Sequence, residues 1–248
     1  MKILAVEFSS TQRSAAVWES GGEQMQNAEC RMQNQATRPV LLGSAMEPPE
    51  RRADKAAGAG EHPQFPARRS LGLVEQALAE ANCGGEEIGA VAVGLGPGSY
   101  TGIRGAIALA QGWELGRGVA LLGVSSVECL AAQAEAEGRR GAVNIIVDAQ
   151  RNEFYLARYE IDEGGRREIE ALRLATMAEV QALAGAGQAL LGPEIRQWFG
   201  SGTDLYAGAV MVGRLACGRR DFVPGEKLEP IYLRETAFKK APPPRAGI

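Results

Sequence analysis

The chain has 248 residues, 45% of them hydrophobic and 23% charged, with a net charge of −3, enough length and apolar content for one large α/β domain or two small lobes. So mild a charge excludes nucleic-acid or membrane binding driven by electrostatics alone, and no apolar stretch reaches the ~20 residues that span a bilayer. A single histidine, His62, excludes a two-histidine metal site. It also confines any Ser-His-Asp or Cys-His chemistry to a Pro/Gly/Ala-rich stretch poorly suited to holding a base.

In chain order, Met1 leads straight into an apolar run, 3–6, so no signal peptide is expected. Residues 14–18 form a second predicted strand after the polar turn Ser9-Ser10-Thr11-Gln12, and 24–30 a third. Residues 31–69 hold five of the twelve prolines and show no period, which predicts a long flexible insertion. A helix follows at 70–81, where Leu71, Val74, Leu78 and Ala81 make an apolar stripe. A strand at 88–93 runs into Gly94-Leu95-Gly96-Pro97-Gly98-Ser99-Tyr100-Thr101-Gly102, and a second helix extends to about Leu115. Strand 119–124 and helix 126–137 come next.

The opening pattern then returns. Strand 144–149 ends at an acid, Asp148, and a polar turn leads to strand 154–159. Glu7 to Trp18 and Asp148 to Tyr159 have the same spacing, so strand–acid–turn–strand occurs twice and implies two related lobes. The expected division is 1–124, 125–235 and a tail from 236. The second half is predicted to hold a helix at 177–184, a strand at 189–191, a helix at 206–218 and a short strand at 230–234. Cys30, Cys83, Cys129 and Cys217 lie far apart with no Cys-x-x-Cys, which points to reduced thiols in a cytoplasmic protein.

The glycine-rich turn sits between a strand and a helix, where backbone N–H groups can face an anion. It is neither a Walker loop nor a dinucleotide fingerprint. The plainer reading is a tight turn with Ser99 or Thr101 as N-cap. In the helix after it, Thr101, Gly105, Ala108, Gly112 and Gly116 share one face and Ile103, Ile107 and Ala110 the other. Each interior glycine costs about 1 kcal/mol relative to alanine, so a close contact is expected to compensate. Either the chain's own helix 70–81 or a partner chain supplies it. Glu7 and Asp148 stand where an acid either supports a metal–nucleotide complex or caps its turn.

Three segments together resemble the TsaB (YeaZ) family, the type 1 dimerisation subunit of the bacterial tRNA threonylcarbamoyladenosine machinery. They are Gly96-Pro97-Gly98-Ser99-Tyr100-Thr101-Gly102-Ile103-Arg104, Val147-Asp148-Ala149 with Glu153-Phe154-Tyr155, and Pro230-Ile231-Tyr232-Leu233-Arg234. The resemblance implies the duplicated ASKHA fold of actin, hexokinase and Hsp70. It implies a non-catalytic subunit that binds the carbamoyltransferase TsaD, works with the ATPase TsaE and meets tRNA through the complex, which modifies adenosine 37. A homodimer is a further expected state, and no membrane is involved.

The implied interface comprises Leu71, Val74, Leu78, Thr101, Arg104, Gly105, Ala108 and Gly112. Glu7, Ser9, Ser10, Gly96, Gly98 and Ser99 are candidates for ATP or ADP binding. No metal or catalytic residue is expected. The family usually has Asp where Glu7 stands, and it carries a histidine at the start of the first interface helix that this chain lacks. The alternative is an ASKHA-type ATPase or kinase-like enzyme acting alone, which the glycine-poor turns around Glu7 and Asp148 disfavour. A serine hydrolase using Ser99 lacks the Gly-x-Ser-x-Gly elbow, and the TsaD paralogue itself needs a His-x-x-x-His site.

Overall fold

The computed structural model describes residues 1–21, 38–48 and 66–233. The expected strand at 24–30, Cys30, His62 and the tail from 236 lie outside the described residues. The first half of the chain carries β1 (Lys2–Glu7), β2 (Ser14–Glu19), β3 (Val40–Met46), α1 (Pro66–Glu80), β4 (Ile88–Gly94), α2 (Tyr100–Arg117) and β5 (Ala120–Val124). The second carries α3 (Ser126–Ala136), β6 (Gly141–Asp148), β7 (Glu153–Asp162), β8 (Gly165–Thr176), α4 (Met177–Gly185), β9 (Ala189–Gly192), β10 (Thr203–Asp204) and α5 (Ala209–Cys217).

These strands make two five-stranded sheets, ordered β3-β2-β1-β4-β5 and β10-β9-β6-β7-β8. Read from the other edge, the second sheet repeats the first strand for strand. β1 pairs antiparallel with β2 and parallel with β4, and β6 pairs antiparallel with β7 and parallel with β9. The fold is the duplicated two-lobed α/β ASKHA architecture. The central strands are mostly apolar because both faces of each sheet are covered. In β1, Ile3 and Ala5 point to the space between the sheets, while Leu4 and Val6 point outward.

Three apolar cores follow from this layering. The central one joins the facing sides of both sheets through α3 and α5. A second packs α1 and α2 on the outer side of the first sheet, around Leu4, Val6, Val93, Ile103 and Ile107. The third covers the outer side of the second sheet with α4 and an aromatic group, in which Phe154 meets Trp198 at 5.6 Å and Phe199 at 5.4 Å.

Three expectations are corrected. The predicted insertion at 31–69 contains β3, which pairs with β2 from Ser14↔Met46 to Glu19↔Val40. Its seven residues carry no alternation of burial, so the pattern hid it. Residues 230–233 form no strand; the Ile231 N–H instead donates to the Leu95 carbonyl at 2.9 Å. The two lobes are also not closed off at 124/125. After β10 the chain crosses back, α5 packs on β1 and β2, and the Val223 N–H donates to Leu121 O at 2.9 Å. The unforeseen β8 is an edge strand rich in Arg and Glu, and such charges blunt a sheet edge.

Candidate functional site

The glycine-rich turn closes a junction between β1, α2 and α3. Ser99 is the N-cap of α2, its hydroxyl accepting from the Gly102 N–H at 3.2 Å. The Ser99 N–H donates to the Ser9 carbonyl at 2.6 Å. Gly96 and Gly98 take φ values of 81° and 152°, a region that side chains disfavour. A Cβ at Gly98 would lie 2.1 Å from Ser9 O, and one at Gly102 2.0 Å from Phe8 O. The motif's glycines therefore let the β1–β2 turn lie directly against the head of α2.

Glu7, Ser9, Gly96, Gly98 and Ser99 are brought together here, and the contacts they make are internal. The Glu7 carboxylate is fully buried, accepting from the Ser9 N–H and the Ser126 hydroxyl, both at 2.7 Å. Burial raises its pKa, and the hydrogen bonds from Ser9 and Ser126 pull the other way. The Ser10 hydroxyl donates to Gln12 O at 3.1 Å. Asp148 caps its own turn, accepting from the Gln150 N–H at 2.7 Å. Thr11 donates across the lobes to Glu194 at 2.6 Å. Among the described residues, no group of three His, Cys, Asp or Glu side chains is placed to hold a metal.

The residues expected at a partner face lie on α1 and α2. Helix α1 packs over β2 and β3, and α2 over β4 and β5. Ile103, Ala106, Ile107 and Ala110 are buried beneath α2. Thr101, Arg104, Gly105, Ala108 and Gly112 are all exposed on its other side. A Cβ built at Gly105, Gly112 or Gly116 meets nothing within 4 Å. Helix α1 therefore does not fill the small-residue face. On α1, Leu71 is 53% exposed and Leu78 half-buried, whereas Val74 is buried with Leu73 and Ala77. Val74 is a correction: the inward stripe of α1 is turned by one residue from the expected one, and this side chain belongs to the core.

Two further features escaped the sequence reading. Leu115 is 91% exposed and continues the outward row of α2, seven residues beyond Ala108. That helical spacing was its available signal. Tyr100 stacks on Tyr232 with ring centroids 5.6 Å apart, and the Arg104 guanidinium lies 4.5 Å from the Tyr100 ring centre. Two of the three motif segments thus meet at the head of α2.

The family model described as TsaD: tRNA N6-adenosine threonylcarbamoyltransferase matches residues 58–215. The tRNA threonylcarbamoyladenosine biosynthesis protein TsaB of Escherichia coli is 32% identical over 198 residues, 73% of this chain and 86% of that one. The chain belongs to the TsaB family. TsaB of Bacillus subtilis is 32% identical over a shorter stretch of 98 residues, 39% of this chain and 41% of that one. The solved YeaZ from Pseudomonas aeruginosa shares the fold, with a TM-score of 0.67, 23% identity and coverage of 94% of this chain and 99% of that one.

Proposed function

We propose that this chain is a non-catalytic subunit of the tRNA N6-threonylcarbamoyladenosine synthesis complex, binding and supporting a TsaD-type carbamoyltransferase through the outward face of α1 and α2. The observation that carries the reading is the row Thr101, Gly105, Ala108 and Gly112, exposed on a helix whose opposite side is fully engaged in the core. Small side chains let a second helix approach to backbone contact, and Leu71 and Leu115 add apolar area beside the row. The same face serves a homodimer when the partner is absent. A TsaE-type ATPase and tRNA join through the assembled complex, in the cytoplasm. The subunit works without a metal or nucleotide cofactor of its own, in keeping with the inward use of Glu7, Ser9 and Ser99.

The test is Gly112→Leu mixed with the TsaD-type subunit on a sizing column. Overpacking at a close contact costs about 3 kcal/mol, which is about a hundredfold in affinity. The complex peak should disappear while the variant alone elutes and melts as a folded protein. A normal complex would overturn the assignment of this face, and ATP turnover by the chain alone would overturn its non-catalytic role.

A further inference from the structure

We infer that Glu7 is a positioning residue for the partner-facing helix, tying the β1–β2 turn, the head of α3 and the glycine turn into one closed ring that fixes where α2 begins. The inference rests on the proposed use of α2 as a docking helix. The ring can be followed atom by atom. Glu7 Oε1 accepts from the Ser9 N–H and Oε2 from the Ser126 hydroxyl, each at 2.7 Å. Ser126 Oγ accepts from the Gly96 N–H at 3.1 Å, and the Ser126 N–H donates to Gly96 O at 2.9 Å. Three residues on, the Ser99 N–H returns to Ser9 O at 2.6 Å. Ser99 is the N-cap of α2, so the ring ends on the first turn of that helix.

The repeat supplies an internal control. Asp148 ends β6 as Glu7 ends β1, and each accepts from the N–H two residues ahead at 2.7 Å. Asp148 is half-buried, and among the described residues this is its one side-chain hydrogen bond. Glu7 is fully buried and has a second partner 119 residues away. The extra methylene gives the carboxylate its reach to α3. The room for it comes from Gly94 on the neighbouring strand β4, where a Cβ would stand 1.9 Å from Glu7 Oε2. Glu7 and Gly94 therefore form one device: a longer acid and the missing side chain that admits it. A buried carboxylate is costly unless each oxygen is satisfied. A fully satisfied buried network admits few alternative arrangements, which is what a docking helix with a backbone-close contact requires.

The test uses the full chain as Glu7→Asp, Gly94→Ala, their double variant and Glu7→Gln. Amide exchange at Ser9 and Ser99 is measured alone, and affinity for the TsaD-type subunit separately, well below every melting temperature. Losing one buried hydrogen bond of this kind is worth about a tenfold change. Glu7→Asp and Gly94→Ala should each speed Ser99 exchange by about tenfold and weaken the complex to a similar extent, leaving β6 and β9 amides unchanged. The double variant should be far less than additive, because the shorter acid withdraws from the new methyl group. Glu7→Gln keeps the length but puts an amide donor where Oε2 accepts from the Ser126 hydroxyl, so it should speed Ser99 exchange by about tenfold as well. Unchanged Ser99 exchange in both single variants, additive costs in the double, or a Gln variant with wild-type exchange would overturn the inference. A wild-type chain that fails to bind the TsaD-type subunit would instead sink the docking role, with the exchange data still deciding whether Glu7 holds the ring.

Discussion

Replacing Gly105 and Gly112 by alanine should raise the stability of the isolated chain and lower its affinity for a partner. Both residues lie inside α2, and a methyl group at either meets nothing within 4 Å. An exposed interior glycine costs a helix about 1 kcal/mol relative to alanine, so the double variant should gain about 2 kcal/mol. For a chain of this size that is a rise of roughly 4–8 °C in melting temperature. On the proposed docking face each methyl also stands where a second helix comes close, and overpacking there costs about 1–3 kcal/mol, or about five- to 150-fold in Kd. Thermal melts followed by circular dichroism give the first number, and calorimetric titration with the TsaD-type subunit gives the second. Gly102→Ala is the control of opposite sign, because its methyl would sit 2.0 Å from Phe8 O. A lower melting temperature for the double variant would mean that the face is packed inside the chain. A higher one with unchanged affinity would mean that no partner uses it.

Leu71 and Val74 should separate binding from folding. Leu71→Asp, at a 53% exposed position, should weaken the complex and leave the melting temperature within a degree or so, whereas Val74→Ala should cost about 2 kcal/mol of stability by opening the core; equal melting temperatures for the two variants would contradict their placement. Tyr159 predicts an alkaline effect, since burial, helped by the charges of Glu168 and Glu128, raises its hydroxyl from 10.0 to about 12. The neutral phenol is favoured in the folded state, so its contribution is complete below pH 10 and is lost as pH rises through 12. The urea midpoint of wild type should fall more steeply over that range than that of Tyr159→Phe, and parallel slopes would refute the placement.

Most central elements were legible because their signals are local. The apolar runs of β1, β4 and β6, the turn punctuation and the repeated acid spacing all lie within a few residues of one another, and they led to the duplicated fold. The glycine turn was readable as a capped strand-to-helix junction for the same reason. The edges were not. The exposed residues of β3 and the charges of β8 suit sheet margins and leave no alternation to detect. β10 is two residues long. In α1, the apolar stripe through Leu71 and Val74 was off by one residue because Ser70 is buried in place of Leu71. The distant partner of Glu7 was beyond reach in principle: Ser126 stands 119 positions away, and only folding brings its hydroxyl to the carboxylate.

The duplication makes the differences between the lobes informative. On the outer side of the second sheet, Val180 of α4 is buried and Phe154, Trp198 and Phe199 close the core. On the outer side of the first, α1 and α2 complete the core and still carry an exposed Leu71, an exposed Leu115 and three glycines with open space beside them. Those glycines cost the isolated subunit about 3 kcal/mol relative to alanine, a substantial share of a typical folding free energy of 5–15 kcal/mol. Within the described residues nothing offsets that cost, because no described atom lies within 4 Å of a Cβ built at any of them. On the proposed function a second protein lying along α2 uses that space, and on the inference drawn above the ring around Glu7 holds the head of that helix in place to receive it.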